Sequence, residues 1–393
     1  SKSFSSLDQI RFWLSKGIPV KRFHPDLATN SDIYGDTATS GPSNLLTDLI
    51  YYLLTDRTAG LGTIFNPYTT YAENLIDTTD LANTSKFLYT NRLFFNGAID
   101  SPKNIRQFIS NTAPNFLCNF VINNGKFSIR PAVPVESDGS ISLGAIDIKQ
   151  LFTGGNILED TFQINYLTTE ERQQFKAVMR YQEQKKNQLP EEKTVVVSWA
   201  SNNVNDPFED FDLTRFATTK EHAVLVGKFF LSIRKHVTHT VSFKTVFDDL
   251  SLAPGDFIKI NTEASPYTSA NNGTVSATGV IVSARTMEDS NSGYEVTYYA
   301  SGTDDVQDGT MIVQDGKVPA EEGSSPASSP FWDSIFTVKS TVNSSDVYLV
   351  EQLTVGEDNT VEILASEFPC TDSLVSKIAQ DIADPNIQNF SVT

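Results

Sequence analysis

From Val241 onward the apolar residues alternate with polar ones instead of recurring every three or four positions, and this change of period constrains the fold more than any motif. Val241, Phe243, Thr245 and Phe247 fall on one side of an extended chain. Behind them VIVSAR, YEVTYYA, MIVQDGK, SIFTVK, VYLVEQL and VEILASEF are short runs divided by Gly, Asn, Ser and Asp. The pattern predicts a β-only segment to the C-terminus. Ala253-Pro254-Gly255-Asp256 has Pro and Gly where a type II turn needs them, so FIKI (257–260) is predicted to pair with the strand at 241–247. No repeat at a solenoid period occurs.

Upstream the period is mixed. Leu46, Leu49, Ile50 and Leu53 recur at helical spacing over 43–55, with Ser43 as the expected cap and Gly60 and Gly62 beyond the stop. Ser101, Pro102, Ile105, Phe108 and Ile109 predict a second helix, ended by Pro114. FLCNFVI, an Asn-Asn-Gly turn and KFSIR predict a hairpin, with Phe116, Cys118 and Phe120 sharing a face. One short strand or helix is expected within 141–152, and strands between Phe162 and Tyr181 around a turn at 168–172. TVVVSWA (194–200) is a β-branched buried strand. The polar stretch 201–212 is the expected domain boundary. After it Thr218 and Glu221 form a capping box, and Val226, Phe229, Phe230 and Ile233 give a helical stripe to about Lys235. The fold class expected is α+β, mainly β.

With 393 residues, 39% hydrophobic and 26 Phe, the chain can bury a sizeable core in more than one domain. Its net charge is −18, which opposes adsorption to phosphate backbones and anionic lipid. Residues 301–393 hold 16 Asp and Glu against 3 Lys and Arg, so the acidity belongs to the C-terminal part, read first as a solvated face. The longest apolar run, 49–54, is far short of the roughly 20 residues of a bilayer span. No signal peptide is visible, and the first residue is Ser rather than Met, so the chain is read as processed or as a piece of something longer.

Catalytic chemistry finds little purchase. Cys118 and Cys370 lie far apart, with no Cys/His cluster for a metal. His236 and His239 are separated by three, which on a strand places them on opposite faces; His222, in the first turn of its helix, is expected to face solvent. Asp304 to Gly309, with Asp315, has the outline of a calcium loop, but Val306 stands where an oxygen ligand is needed. No nucleotide-binding loop, nucleophile elbow or zinc-protease motif occurs. No catalytic, cofactor or metal residue is therefore assigned, and no enzyme activity is expected.

The order of landmarks is more specific than any one of them. YYLLTDRTAGLG (51–62), TNRLFFNGAIDSPKNIRQFISNTAPNFLCNFVINNGKFSIRP (90–131), ILEDTFQINYLTTEERQQFKAVMRYQ (157–182), FATTKEHAVLVGKFFLSIRKHVTHTVSF (216–243) and LSLAPGDFIKI (250–260) follow in series. This series resembles the central region of the tail tip attachment proteins of long-tailed bacteriophages, the lambda protein J family. GPSNLLTDLIYYLL and VEILASEFPC resemble cyanophage-type versions. The resemblance implies small antiparallel β-barrel or sandwich hub domains with a few packed amphipathic helices. It implies a connecting segment and first helix at 1–62, an α+β hub domain at 63–204, and a mainly-β hub domain with the acidic part at 205–393. It also implies a homotrimeric baseplate hub in the virion, assembled in the host cytoplasm, that closes the tail tube and forms the genome-ejection channel. The implied partners are the tail tube and distal tail proteins, the tape-measure protein, and fibre or receptor-binding proteins. Neither specific nucleic-acid binding nor stable membrane insertion is expected.

Short strands leave edges to pair and 26 Phe leave aromatics to bury between copies, in keeping with that role. An acidic β surface lining a channel would let DNA pass without sticking. The competing reading is a receptor- or carbohydrate-binding tip adhesin, which needs a shallow aromatic groove around Trp332 or Trp199, both otherwise expected in the core. The loops 183–193 and 321–330 are expected to touch neighbours or to be mobile.

Overall fold

The computed structural model describes residues 19–24, 40–58, 60–61, 75–99, 104–123, 125–153, 156–184, 190–199, 205–246 and 252–261. It then describes the strands at 271–274, 280–281, 294–299, 306–311, 317–318 and 335–340, and residues 347–356, 358–371, 373–385 and 387–392. The fold is mixed α+β with more strand than helix, and the described residues form five α-helices. The expected sites at Ser101, Pro102, Trp332, Asp304, Asp315 and 321–330 lie outside the described residues.

The helices are α1 (Leu46–Thr55), α2 (Thr78–Thr90), α3 (Ile105–Thr112), α4 (Lys220–His236) and α5 (Lys377–Ala383). Their starts correct three expected caps. Helix α1 begins after Leu45 with no side-chain cap; Ser43 accepts the Leu45 N–H instead and turns its hydroxyl towards Asp48. Helix α3 is capped by Asn104, whose side chain accepts from the Gln107 N–H. Helix α4 is capped by Thr219, one residue later than expected, because its hydroxyl reaches the His222 N–H. Beyond α3 the chain tightens into a 3₁₀ turn (Ala113–Phe116) that ends at Leu117 in the left-handed region, φ 54°.

The hairpin forms as expected, β3 (Cys118–Asn123) against β4 (Lys126–Pro131), and Phe120 stacks on Phe127 across it. Phe116 sits in the 3₁₀ turn rather than in the strand, so the face shared with Cys118 and Phe120 is shorter than the alternation suggested.

Six strands make the main sheet, in the order β5 (Ile148–Thr153), β11 (Phe257–Asn261), β18 (Val347–Val355), β19 (Thr360–Glu367), β10 (His239–Val246) and β6 (Gln163–Tyr166). The turn before β11 is as expected: Gly255 has φ +95° and the Asp256 N–H donates to the Ala253 carbonyl at 3.0 Å. The pairing is not. Strand β11 lies antiparallel to β18 and parallel to β5, while β10 pairs with β19 and β6. Local sequence carries the turn; the partners come from far along the chain, β18 and β19 downstream and β5 and β6 upstream. A separate core of Phe152, Val241, Phe243, Ile258, Ile363 and their neighbours lies against this sheet.

A second sheet has the order β20 (Gln388–Val392), β8 (Glu191–Ser198), β7 (Lys176–Glu183), β9 (Phe208–Asp212), with β9 parallel to β7 and β20 antiparallel to β8. Helix α4 packs on β7 and β8, and α5 packs on α4. Strand β9 lies inside the polar stretch 201–212, and α5 interrupts the segment expected to be β throughout. Smaller sheets are β1 (Val20–Lys21) with β2 (Ser40–Gly41), β13 (Val280–Ile281) with β16 (Lys317–Val318), and β12 (Asn271–Thr274), β17 (Ile335–Ser340), β14 (Tyr294–Tyr299) and β15 (Val306–Met311) in that order. The larger core joins α1 to α5, the hairpin and the inner faces of β7 and β8.

Candidate functional site

The described residues contain no group of three or more His, Cys, Asp or Glu that could hold a metal ion. The histidines are spread through the interior. His222 is 1% exposed, against the expectation that it faces solvent. Its ring lies edge-on to Phe116 at 4.9 Å, and Nε2 is 2.9 Å from the Asn115 carbonyl, which fixes Nε2 as the protonated nitrogen. Burial drops its pKa from 6.5 to about 4, opposed only by that hydrogen bond.

His236 and His239 do not meet, because the helix persists to His236 and β10 begins at His239. His236 Nε2 lies 2.5 Å from Asp381 Oδ2, the same oxygen that accepts the Ser232 hydroxyl at 3.0 Å, with Lys235 at 3.6 Å. Ser, His and Asp are together, yet the carboxylate stands in the middle. A nucleophilic triad needs the imidazole between hydroxyl and carboxylate. The cluster instead ties α4 to α5. Burial pushes Asp381 up, and the hydrogen bonds and charges of His236, Lys235 and Ser232 more than offset it. Lys228, one turn earlier than Ser232, donates to the Ile382 and Asp384 carbonyls at 3.0 and 2.8 Å, satisfying the open end of α5.

His239 is buried with Tyr348 and Glu367. Thr238 donates its N–H and hydroxyl to Glu367 Oε2. Burial raises the Glu367 pKa, and the hydrogen bonds from His239 and then Thr238 pull it net downward. The network joins β10, β18 and β19 in the sheet interior.

Both cysteines are buried, and burial pushes the Cys118 thiol well up, which disfavours its thiolate. Trp199 is 8% exposed with Lys235 over its ring at 4.1 Å, so no sugar-binding face is open there. Among the described residues no helix is long and apolar enough to cross a membrane.

What remains is surface. Tyr166 on the edge strand β6 and Phe208 on the edge strand β9 are 60% and 62% exposed. The loop between β6 and β7 forms an open groove of about 550 Å³, lined by Leu167, Glu170, Arg172, Gln173 and Lys235. Lys176 lies over the Phe208 ring, and Arg234 binds Glu209 of β9 through both terminal nitrogens, at 3.0 and 3.1 Å. Sequence reading missed both aromatics, because exposure at a sheet edge leaves no periodic signal.

No protein-family profile and no characterised protein matches the chain by sequence. Solved structures align with parts of it, two of them as follows. A chain in the virion of a native gene transfer agent particle aligns over 76% of this chain and 48% of its own length, at 7% identity and a TM-score of 0.36. A tail protein from Neisseria meningitidis MC58 aligns over 71% of this chain and 59% of its own length, at 9% identity and a TM-score of 0.28. The chain spans about half the length of the structures it matches.

Proposed function

We propose that the chain is a structural component of a phage-type tail: a three-fold hub at the distal tip that closes the tube, links tube and tape-measure protein to the attachment parts, and forms the ejection channel. The observation that carries this reading is the way the landmark segments pack. Phe95 and Phe116, from one landmark segment, and Phe216, from another, meet ring to ring at 5.2 to 6.2 Å. Arg130 of the hairpin donates to the Pro254 carbonyl of the turn before β11. His222 of α4 donates to Asn115. The segments whose order resembles a tail tip protein are thus tied to one another across the larger core and the separate core of the main sheet, while their polar clusters tie elements together.

In this reading 63–204 and 205–393 are the two hub domains, with β9 and β20 of the second flanking β7 and β8 of the first. The edges at β6 and β9, with Tyr166 and Phe208, are the surfaces a neighbouring subunit covers. An acidic β surface of the C-terminal part lines the lumen and keeps DNA from adhering. Light scattering at micromolar concentration followed by electron microscopy tests it. A ring of three with a central lumen is expected. A monodisperse monomer that binds no tube protein overturns it.

A further inference from the structure

The N-terminal described segment is fastened to α1 by a carboxylate with no access to solvent. Asp48, in the first turn of α1, is 0% exposed. Its Oδ1 accepts the backbone N–H of Phe23 at 3.1 Å and the Thr47 hydroxyl at 3.3 Å; its Oδ2 accepts the Ser43 hydroxyl at 2.6 Å. Strand β1 crosses above, Val20 opposite Gly41 and Lys21 opposite Ser40. Arg22, 2% exposed, donates from Nη2 to the Ser40 carbonyl at 2.9 Å. Its guanidinium lies where a Cβ on Gly41 would stand, 2.5 Å from Nη1. Phe23 meets Tyr51 edge-on at 5.0 Å, and Lys21 covers the Tyr51 ring at 4.9 Å.

We propose that Val20–His24 is a strap whose seating on α1 is set by the protonation of Asp48, held most firmly in mild acid and loosened as the pH rises. Among the described residues, the charge that opposes the carboxylate's burial comes from the strap, on Arg22. Lys21 sits over the Phe23 and Tyr51 rings, and the His24 ring meets Tyr89 of α2 at 4.5 Å. From α1 and the residues before it come Thr47, Ser43 and Tyr51, none of which carries a charge at neutral pH.

Burial raises the Asp48 pKa from 3.8 to about 6, outweighing the hydrogen bonds from Ser43, Phe23 and Thr47 and the attraction of Arg22. Lifting the strap returns the carboxyl to water and to its ordinary range. Between pH 4 and 6 the seated form therefore binds more protons than the open one, so opening becomes easier as the pH rises and levels off above about 6. The shift corresponds to a change of about 100-fold in the opening equilibrium.

Hydrogen exchange of the Phe23 amide in the full chain, corrected for the intrinsic rate, reads the equilibrium directly. Protection is expected to fall about 100-fold from pH 4 to pH 7, and Asp48→Asn is expected to make it pH-independent. Equal protection at both pH values, or the same slope in Asp48→Asn, overturns the proposal. Arg22→Met provides a second reading that leaves the buried carboxyl in place. It is expected to lower protection more at pH 7 than at pH 4, since the lost bond to the Ser40 carbonyl counts at both, and an equal loss at both overturns the proposal as well.

Discussion

Arg130 Nε donates to Asp80 Oδ2 at 2.6 Å, and the same guanidinium donates from Nη1 to the Pro254 carbonyl at 2.8 Å. One side chain of the hairpin thus holds the first turn of α2 on one side and the turn before β11 on the other. Asp256, raised by burial, stands 3.5 Å from Nη1. Replacing Arg130 by Met leaves Asp80 and Asp256 half-buried without their cation and is expected to cost about 2–3 kcal/mol. Urea unfolding checks it, and a double-mutant cycle with Asp80→Asn isolates the pair. Gly255→Ala should cost about 1–2 kcal/mol, because φ +95° is strained for any side chain and the new Cβ would lie 3.0 Å from Arg130 Cδ.

His222 gives the protein an acid limit. Folded, it titrates at about 4; unfolded, near 6.5, so the unfolded chain takes up a proton first as the pH falls. Stability is full above 6.5 and declines towards pH 4, by on the order of 3 kcal/mol. His222→Gln keeps a donor for Asn115 without the titration. Its unfolding midpoint should change less between pH 7 and 4 than that of the parent, and an unchanged slope would refute this account.

Helix α5 is seven residues long and stands by its ties to α4. Lys228→Met removes two donors from its final carbonyls, and Asp381→Asn weakens the contacts with His236, Lys235 and Ser232. Each is expected to cost about 1–2 kcal/mol. Proteolysis around 377–385 should accelerate in both, since the loss is local before it is global.

Tyr166 and Phe208 make the opposite kind of prediction. Both are mostly exposed, so Tyr166→Lys and Phe208→Lys should shift thermal unfolding of dilute protein by less than about 0.5 kcal/mol. Self-association at micromolar concentration should nevertheless weaken about tenfold or more in each, read by analytical ultracentrifugation. Normal assembly in the double variant would move the subunit contact elsewhere.

Much of this was legible in the residues. Leu46 to Leu53 announce α1, Asn-Asn-Gly announces the hairpin, and Pro254-Gly255 announce a turn, because each is a local preference that packing reinforces. Helix α2 was missed although Asp77 accepts the N–H groups of Thr79 and Asp80 as a cap should. Its buried face is carried partly by Thr84 and Ser85, which break the apolar stripe. Helix α5 was hidden among strands, with only Ile378, Ala379 and Ile382 to mark it. Strand β9 was read as polar because it is an edge, buried only at alternate positions and only in part. The tie between His236 and Asp381 spans 145 residues, and no spacing rule reaches that far.

Strand β20 completes the second sheet by taking the open side of β8, Gln388 opposite Ser198 and Val392 opposite Thr194. On a ribosome adding on the order of 10 residues per second, β8 emerges about 20 s before its neighbour. Through that interval a run of three valines presents bare amides and carbonyls to the crowded cytosol. Expression of this protein should accordingly respond to chaperone supply and to translation speed, more than the stability of the finished molecule would suggest.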